Sequence, residues 1–113
     1  MDNLIPKEVK VGGRTFKVKH PHYSRDNNWG LIEYNTSEIF LYQYAWKYRK
    51  GKRTKILFKP SKQNKEQTFI HEMLHGIDFV YNNDSLPETV TARLAEGLYQ
   101  VLVDNFTIKA KGR

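Results

Sequence analysis

Hydrophobic periodicity changes once along this chain, at about Ser61, and that change limits the folds open to it. Before it, apolar residues alternate with polar ones. Val9 and Val11, then Phe16 and Val18, flank Gly12-Gly13 and predict a hairpin with a glycine turn. Residues 20–29 contain Pro21, Asn27 and Asn28 and read as a loop. Gly30 to Tyr34 alternates again, and Asn35-Thr36-Ser37 turns the chain into Ile39-Phe40-Leu41-Tyr42, a strand expected to extend to Trp46 or Tyr48. Thr54 to Phe58 is a returning strand that Pro60 ends. After Ser61, a fair N-cap, Phe69, Ile70, Met73, Leu74, Ile77 and Val80 recur at helical spacing. Asn82-Asn83-Asp84 breaks that helix. Ser85 caps a second, with Pro87 in its first turn and an apolar stripe of Val90, Leu94, Leu98 and Val101, running to about Asn105. The expected fold is α+β: a small antiparallel sheet of two or more hairpins packed on two helices, because neither apolar face is stable in water.

The 113 residues suit one domain, with a frayed tail from about residue 107. There is no cysteine, which excludes disulfides and any thiolate metal site and fits a reducing cytoplasm. The first residues, Met1 to Lys7, lack the apolar run of a signal peptide, and no segment approaches the roughly 20 apolar residues of a membrane span. A soluble, cytoplasmic protein without a membrane partner is expected.

The first helix carries His71-Glu72-Met73-Leu74-His75. Residues four apart share a helix face, so two imidazoles can bind one Zn²⁺ at roughly 2.0–2.1 Å each. Glu72 follows the first ligand and is placed to take a proton from a water on the metal. The plain alternative is two ordinary helix histidines. A third ligand must be an acid, since cysteine is absent. Asp84 and Asp104 sit at helix ends, and Asp78 is better placed to accept a hydrogen bond from a ligating histidine than to reach the metal. On a wheel of about 100° per residue centred on the Val90 stripe, Glu88 lies at the edge of the apolar arc and Glu96 lies toward solvent. Ala92 and Ala95, on the side of Glu88, allow close helix approach. Glu88 has a competing role, because Ser85-Leu86-Pro87-Glu88 is also a capping box in which its carboxylate returns to the Ser85 amide.

The net charge of +7 is uneven: Lys47 to Lys65 contains nine basic residues and no acid. This segment, with Lys50, Lys52 and Arg53 in its turn, reads either as a solvated basic hairpin and loop or as a nucleic-acid contact. His20 and His22 have no acids at ligand spacing and read as surface residues.

Taken together, Thr68 to Asp78 and Glu88 to Tyr99, with the Gly30–Tyr34 and Ile39–Leu41 strands, resemble the ImmA/IrrE-type metallopeptidases of phages and mobile elements, particularly short stand-alone phage versions. The resemblance spans most of residues 8 to 105. It implies a minimal zincin-like core, zinc on His71, His75 and Glu88, Glu72 as general base, and a protein or peptide substrate. If the chain is phage-encoded, the compartment is the host cytoplasm. The chain departs from larger members in having no helix-turn-helix region and in placing Val90 where a second acid is common. The expected reaction is peptide hydrolysis, with the substrate extended along a sheet edge near Ile39 to Tyr44 and its oxyanion steadied by a donor that one of seven tyrosines could supply. The competing function is a basic phage-encoded module that binds DNA or a host protein and keeps a vestigial or structural metal site.

Overall fold

The computed structural model describes residues 4–52 and 54–111. Six strands precede two helices: β1 (Glu8–Val11), β2 (Arg14–Lys19), β3 (Gly30–Glu33), β4 (Glu38–Leu41), β5 (Ala45–Tyr48), β6 (Lys55–Phe58), α1 (Lys62–Tyr81) and α2 (Glu88–Asn105). The architecture is α+β. Four strands form one sheet in the order β1-β2-β4-β3, and β5 and β6 pair separately. The sheet lies on one side of α1, and α2 packs on α1 alone.

The first hairpin turns where the sequence places it. Gly12 has φ +63°, and a Cβ there would lie 2.8 Å from a Val80 methyl, so the turn needs glycine for both conformation and space. The sheet is not wholly antiparallel, because β2 and β4 run parallel. The intervening loop of residues 20–29 carries the chain to the far edge, and the β3–β4 hairpin folds β4 back into the centre. Ile39 and Leu41 of β4 and Phe16 of β2 are fully buried there.

Two strand expectations need correction. The strand beginning at Ile39 does not continue to Trp46 or Tyr48; it ends at Leu41, and Ala45–Tyr48 is a separate strand. Nor is the stretch from Ile39 to Tyr44 an exposed edge. β4 is paired on both sides, and the amides of Tyr42, Gln43 and Tyr44 donate to the carbonyls of Trp29, Pro21 and His22. The free edge beside the helices belongs to β3. In an antiparallel ladder alternate residues bond outward. With Tyr42 bonded to Trp29, the outward backbone groups of β3 are those of Gly30 and Ile32.

Ser61 caps α1 as expected, its hydroxyl accepting the Asn64 amide at 3.1 Å. Phe69 and Ile70 enter the core beneath the sheet. The stripe expected on α2 is rotated. Val90, Leu94 and Val101 are exposed, whereas Thr91, Ala95 and Tyr99 are buried. Close packing explains the difference. Small side chains let α2 approach α1, and the Tyr99 hydroxyl reaches buried Glu66 at 2.6 Å. The rotation keeps Glu88 on the contact face, three residues before Thr91 and seven before Ala95.

No helix among the described residues is long and apolar enough to cross a membrane.

Candidate metal centre

His71 and His75 face the same way from the middle of α1, and Glu88, the first residue of α2, meets them from across the helix pair. One carboxylate oxygen is 2.9 Å from His71 Nε2, the other is 2.8 Å from His75 Nε2, and the two nitrogens are 3.0 Å apart. With Glu88 ionised, no placement of the imidazole protons satisfies all three contacts. Each neutral imidazole carries one N–H and one lone pair. If both Nε2 atoms are protonated, both donate to Glu88 but face each other as donors. If only one is protonated, the other points a lone pair at a carboxylate oxygen. A cation between them satisfies all three. Ligands about 2.0–2.1 Å from a tetrahedral ion lie roughly 3.3 Å apart, so this group needs to open by only a few tenths of an ångström. These three residues are the group among the described residues able to hold a metal ion, and the donor set suits several divalent metals.

Burial holds the His71 pKa below its ordinary value, against the opposing pull of Glu88, and so favours the lone pair that a metal requires. Glu72 is 8% exposed. Burial, and secondarily the charge of Glu88, push its pKa up to about 8. In the absence of a cation this carboxyl holds its proton at neutral pH; a bound cation favours ionisation.

Glu88 forms no capping box. The N-cap of α2 is Pro87, without a side-chain cap bond, and the Ser85 amide donates to Asp78 at 3.2 Å. Asp78 thereby departs from its expected place behind a histidine. Its carboxylate, on a residue 2% exposed, accepts from the Asn82 side-chain amide and from the backbone amides of Ser85 and Leu86. A buried carboxylate requires such partners, and the link between the helices supplies them. Asp78 therefore shapes the connection that delivers Glu88. Tyr34 supports the other side of α1: its hydroxyl donates to the His75 carbonyl at 3.2 Å and its ring stacks on Phe79.

A cleft of about 460 Å³ opens over these groups, lined by Asn27, Asn28, Trp29, Gly30, Leu31, Thr68, His71, Glu72, His75 and Glu88. Asn28, Trp29, Gly30 and Thr68 were not singled out from sequence. Gly30 did carry a signal, since a glycine opening an alternating strand marks close backbone approach. A Cβ there would lie 2.5 Å from the Thr68 methyl and 3.1 Å from Glu72 Cγ. Among the described residues no tyrosine lines the cleft, whereas Asn27 and Asn28 do. Glu96 lines a neighbouring recess with His71 and Ala92 and is not part of the three-residue group. His22 lies away from the group, its ring against Tyr23 and Tyr44. Of the basic turn, Lys50 and Lys52 are exposed and take no part in the cleft, and Arg53 lies outside the described residues.

Compared with known proteins, the chain matches no protein-family model, no curated protein and no solved structure.

Proposed function

We propose that the protein is a zinc-dependent peptidase, with His71, His75 and Glu88 holding the metal and Glu72 acting as general base. The observation that carries this reading is the triangle of potential ligand atoms at 2.8–3.0 Å, which imidazole protons cannot satisfy while Glu88 is ionised, beside a buried carboxyl in an open cleft. A zinc ion there would polarise a scissile carbonyl and acidify water. Glu72 takes the proton of the attacking water and returns it to the leaving amine. Gly30 and Ile32 present their outward amides and carbonyls to an extended peptide, which adds to the sheet as a strand alongside β3. The Asn28 amide, at the same cleft, donates to the carbonyl oxygen as it gains charge. The resemblance of Thr68–Asp78 and Glu88–Tyr99 to ImmA/IrrE-type metallopeptidases agrees with this assignment and with a phage origin.

Metal analysis and peptide hydrolysis test the proposal together. His71→Ala should lose the metal. Glu72→Gln should keep it and lose hydrolysis by 10²-fold or more, the range expected for a general base. If Glu72→Gln cleaves as fast as the parent, the enzymatic assignment is wrong.

A further inference from the structure

The β5–β6 ribbon stands apart from the core. Its backbone does not approach the other strands or helices closely, and only Ala45 at its base is buried. It is tied down by the preceding loop. Asn27 uses both ends of its side-chain amide on Trp46, accepting the backbone N–H at 2.9 Å and donating to the carbonyl at 3.2 Å. Tyr23 meets Trp46 edge-on, and Trp29 meets Phe58 in the same way. Its turn is closed by Arg49 and Thr54, with Gly51 at φ +71°.

The charge of the protein is concentrated here. Residues 47–65 hold nine of the 19 basic residues and none of the 12 acids, so the remainder carries ten bases against twelve acids and is slightly negative. The positive excess therefore belongs to this ribbon and the start of α1. The strand register pairs Tyr48 with Lys55 and Trp46 with Leu57. Alternation then gathers Trp46, Tyr48 and Lys55 on one face, with Tyr23 beside them. The Lys55 ammonium lies 5.5 Å from the Tyr48 ring centroid, yet Tyr48 remains 63% exposed and Tyr23 43% exposed. Arg49, Lys50 and Lys52 follow in the adjoining turn and are exposed, while Lys47 is on the opposite face, over the Phe58 ring.

Exposed aromatic faces beside exposed cations match a ligand that offers flat rings and phosphates together. We infer that the β5–β6 ribbon binds single-stranded nucleic acid, with phosphates on Arg49, Lys50, Lys52 and Lys55 and unpaired bases stacked on Tyr48 and the neighbouring rings. A duplex keeps its base faces covered and would use only the cations. An acidic protein likewise would use the cations and leave the rings idle. The ribbon adjoins the cleft through Asn27 and Trp29, but its ligand chemistry does not depend on the metal, so this inference stands or falls separately from the peptidase.

Fluorescence anisotropy of a labelled 15-mer of deoxythymidine, titrated with the full chain at 50 and 200 mM salt, provides the test. If four cations meet phosphates, affinity should fall on the order of 50-fold between those salts. Substituting Lys50, Lys52 and Lys55 together by Ala should flatten the slope of log K on log salt by about 2. Tyr48→Ala should weaken binding by about 5-fold or more with the slope unchanged, and Tyr48→Trp should restore it. Chelation of metal and Glu72→Gln should leave binding unaltered. Circular dichroism melts and metal stoichiometry establish that each variant is folded. Three results overturn the inference: no binding at 50 mM salt, a 15-base-pair duplex bound more tightly than the single strand, or Tyr48→Ala without effect while a poly-glutamate peptide competes as well as the oligonucleotide.

Discussion

The metal end of the helix pair and the β5–β6 ribbon solve opposite problems. Around His71, His75 and Glu88 the supporting groups are buried: Asp78 is 2% exposed, Thr91 is fully buried and Tyr99 is 4% exposed. The ribbon rests on a few contacts from one loop, and its described basic side chains and Tyr48 are exposed. Convergence of three ligands within a few tenths of an ångström needs rigid, densely packed elements. Contact with a flexible polyanion needs reach and accessible charge. The comparison predicts that changes at the first region alter stability and metal affinity together, whereas changes at the second alter neither.

Asp78→Ala should show the largest stability effect. It removes the buried carboxylate that accepts from the Ser85 and Leu86 amides and the Asn82 side chain, at a cost of roughly 3 kcal/mol in denaturant unfolding. Metal affinity should fall by about 10-fold or more, because Glu88 loses the link that positions it. Unchanged metal affinity in a folded Asp78→Ala protein would break the argument that this carboxylate sets the third ligand.

Glu72 gives the next effect, and it depends on pH. A carboxyl whose pKa is raised on folding, here to about 8, binds its proton more tightly in the folded state. Its favourable contribution is full below the unfolded value near 4.5 and is lost as pH rises through 8. Metal-free protein should therefore lose stability between pH 5 and pH 8.5. Glu72→Gln should flatten that decline and be more stable than the parent at pH 9 by about 2 kcal/mol. Thermal melts in chelator, run across the pH range, measure both quantities.

Gly30→Ala should cost about 1–2 kcal/mol, since the added methyl would meet the Thr68 side chain at 2.5 Å and press on Glu72. Activity should fall more than stability suggests, because the neighbour displaced is Glu72, the proposed general base. The smallest effect belongs to the ribbon. Replacing Lys50, Lys52 and Lys55 should move global stability by less than about 0.5 kcal/mol. A larger change would mean that the ribbon supports the core after all.

Much of this arrangement was legible in the sequence, though not always for the right reason. The two hairpins, the change of period and the Ser61 cap follow from local chemistry. Glu88 was favoured over Glu96 by a helix wheel centred on Val90, and it does meet both histidines, yet the wheel was centred on the wrong face. Counting aliphatics selected Val90, Leu94 and Val101, which are exposed. The face that packs is Thr91, Ala95 and Tyr99, because helix contact rewards small side chains and a satisfied tyrosine hydroxyl as well as hydrophobicity. The capping-box pattern at Ser85 was equally visible and is not used, because Asp78 takes the Ser85 amide instead. The stretch from Ile39 to Tyr44 reads as a sheet edge, but the free edge is β3, since strand order in a sheet is not written in alternation.

The sequence by itself determined what repeats within one turn or one strand. The period of the helix places His71 and His75 on one face and Glu72 beside them, and charge segregation along the chain makes one hairpin basic. Only the tertiary structure decided which acid joins the histidines, what Asp78 holds, which edge of the sheet is open, and that the basic hairpin stands clear of the core. Those outcomes depend on how segments distant in sequence exclude water from each other and share hydrogen bonds, and no local pattern records that competition.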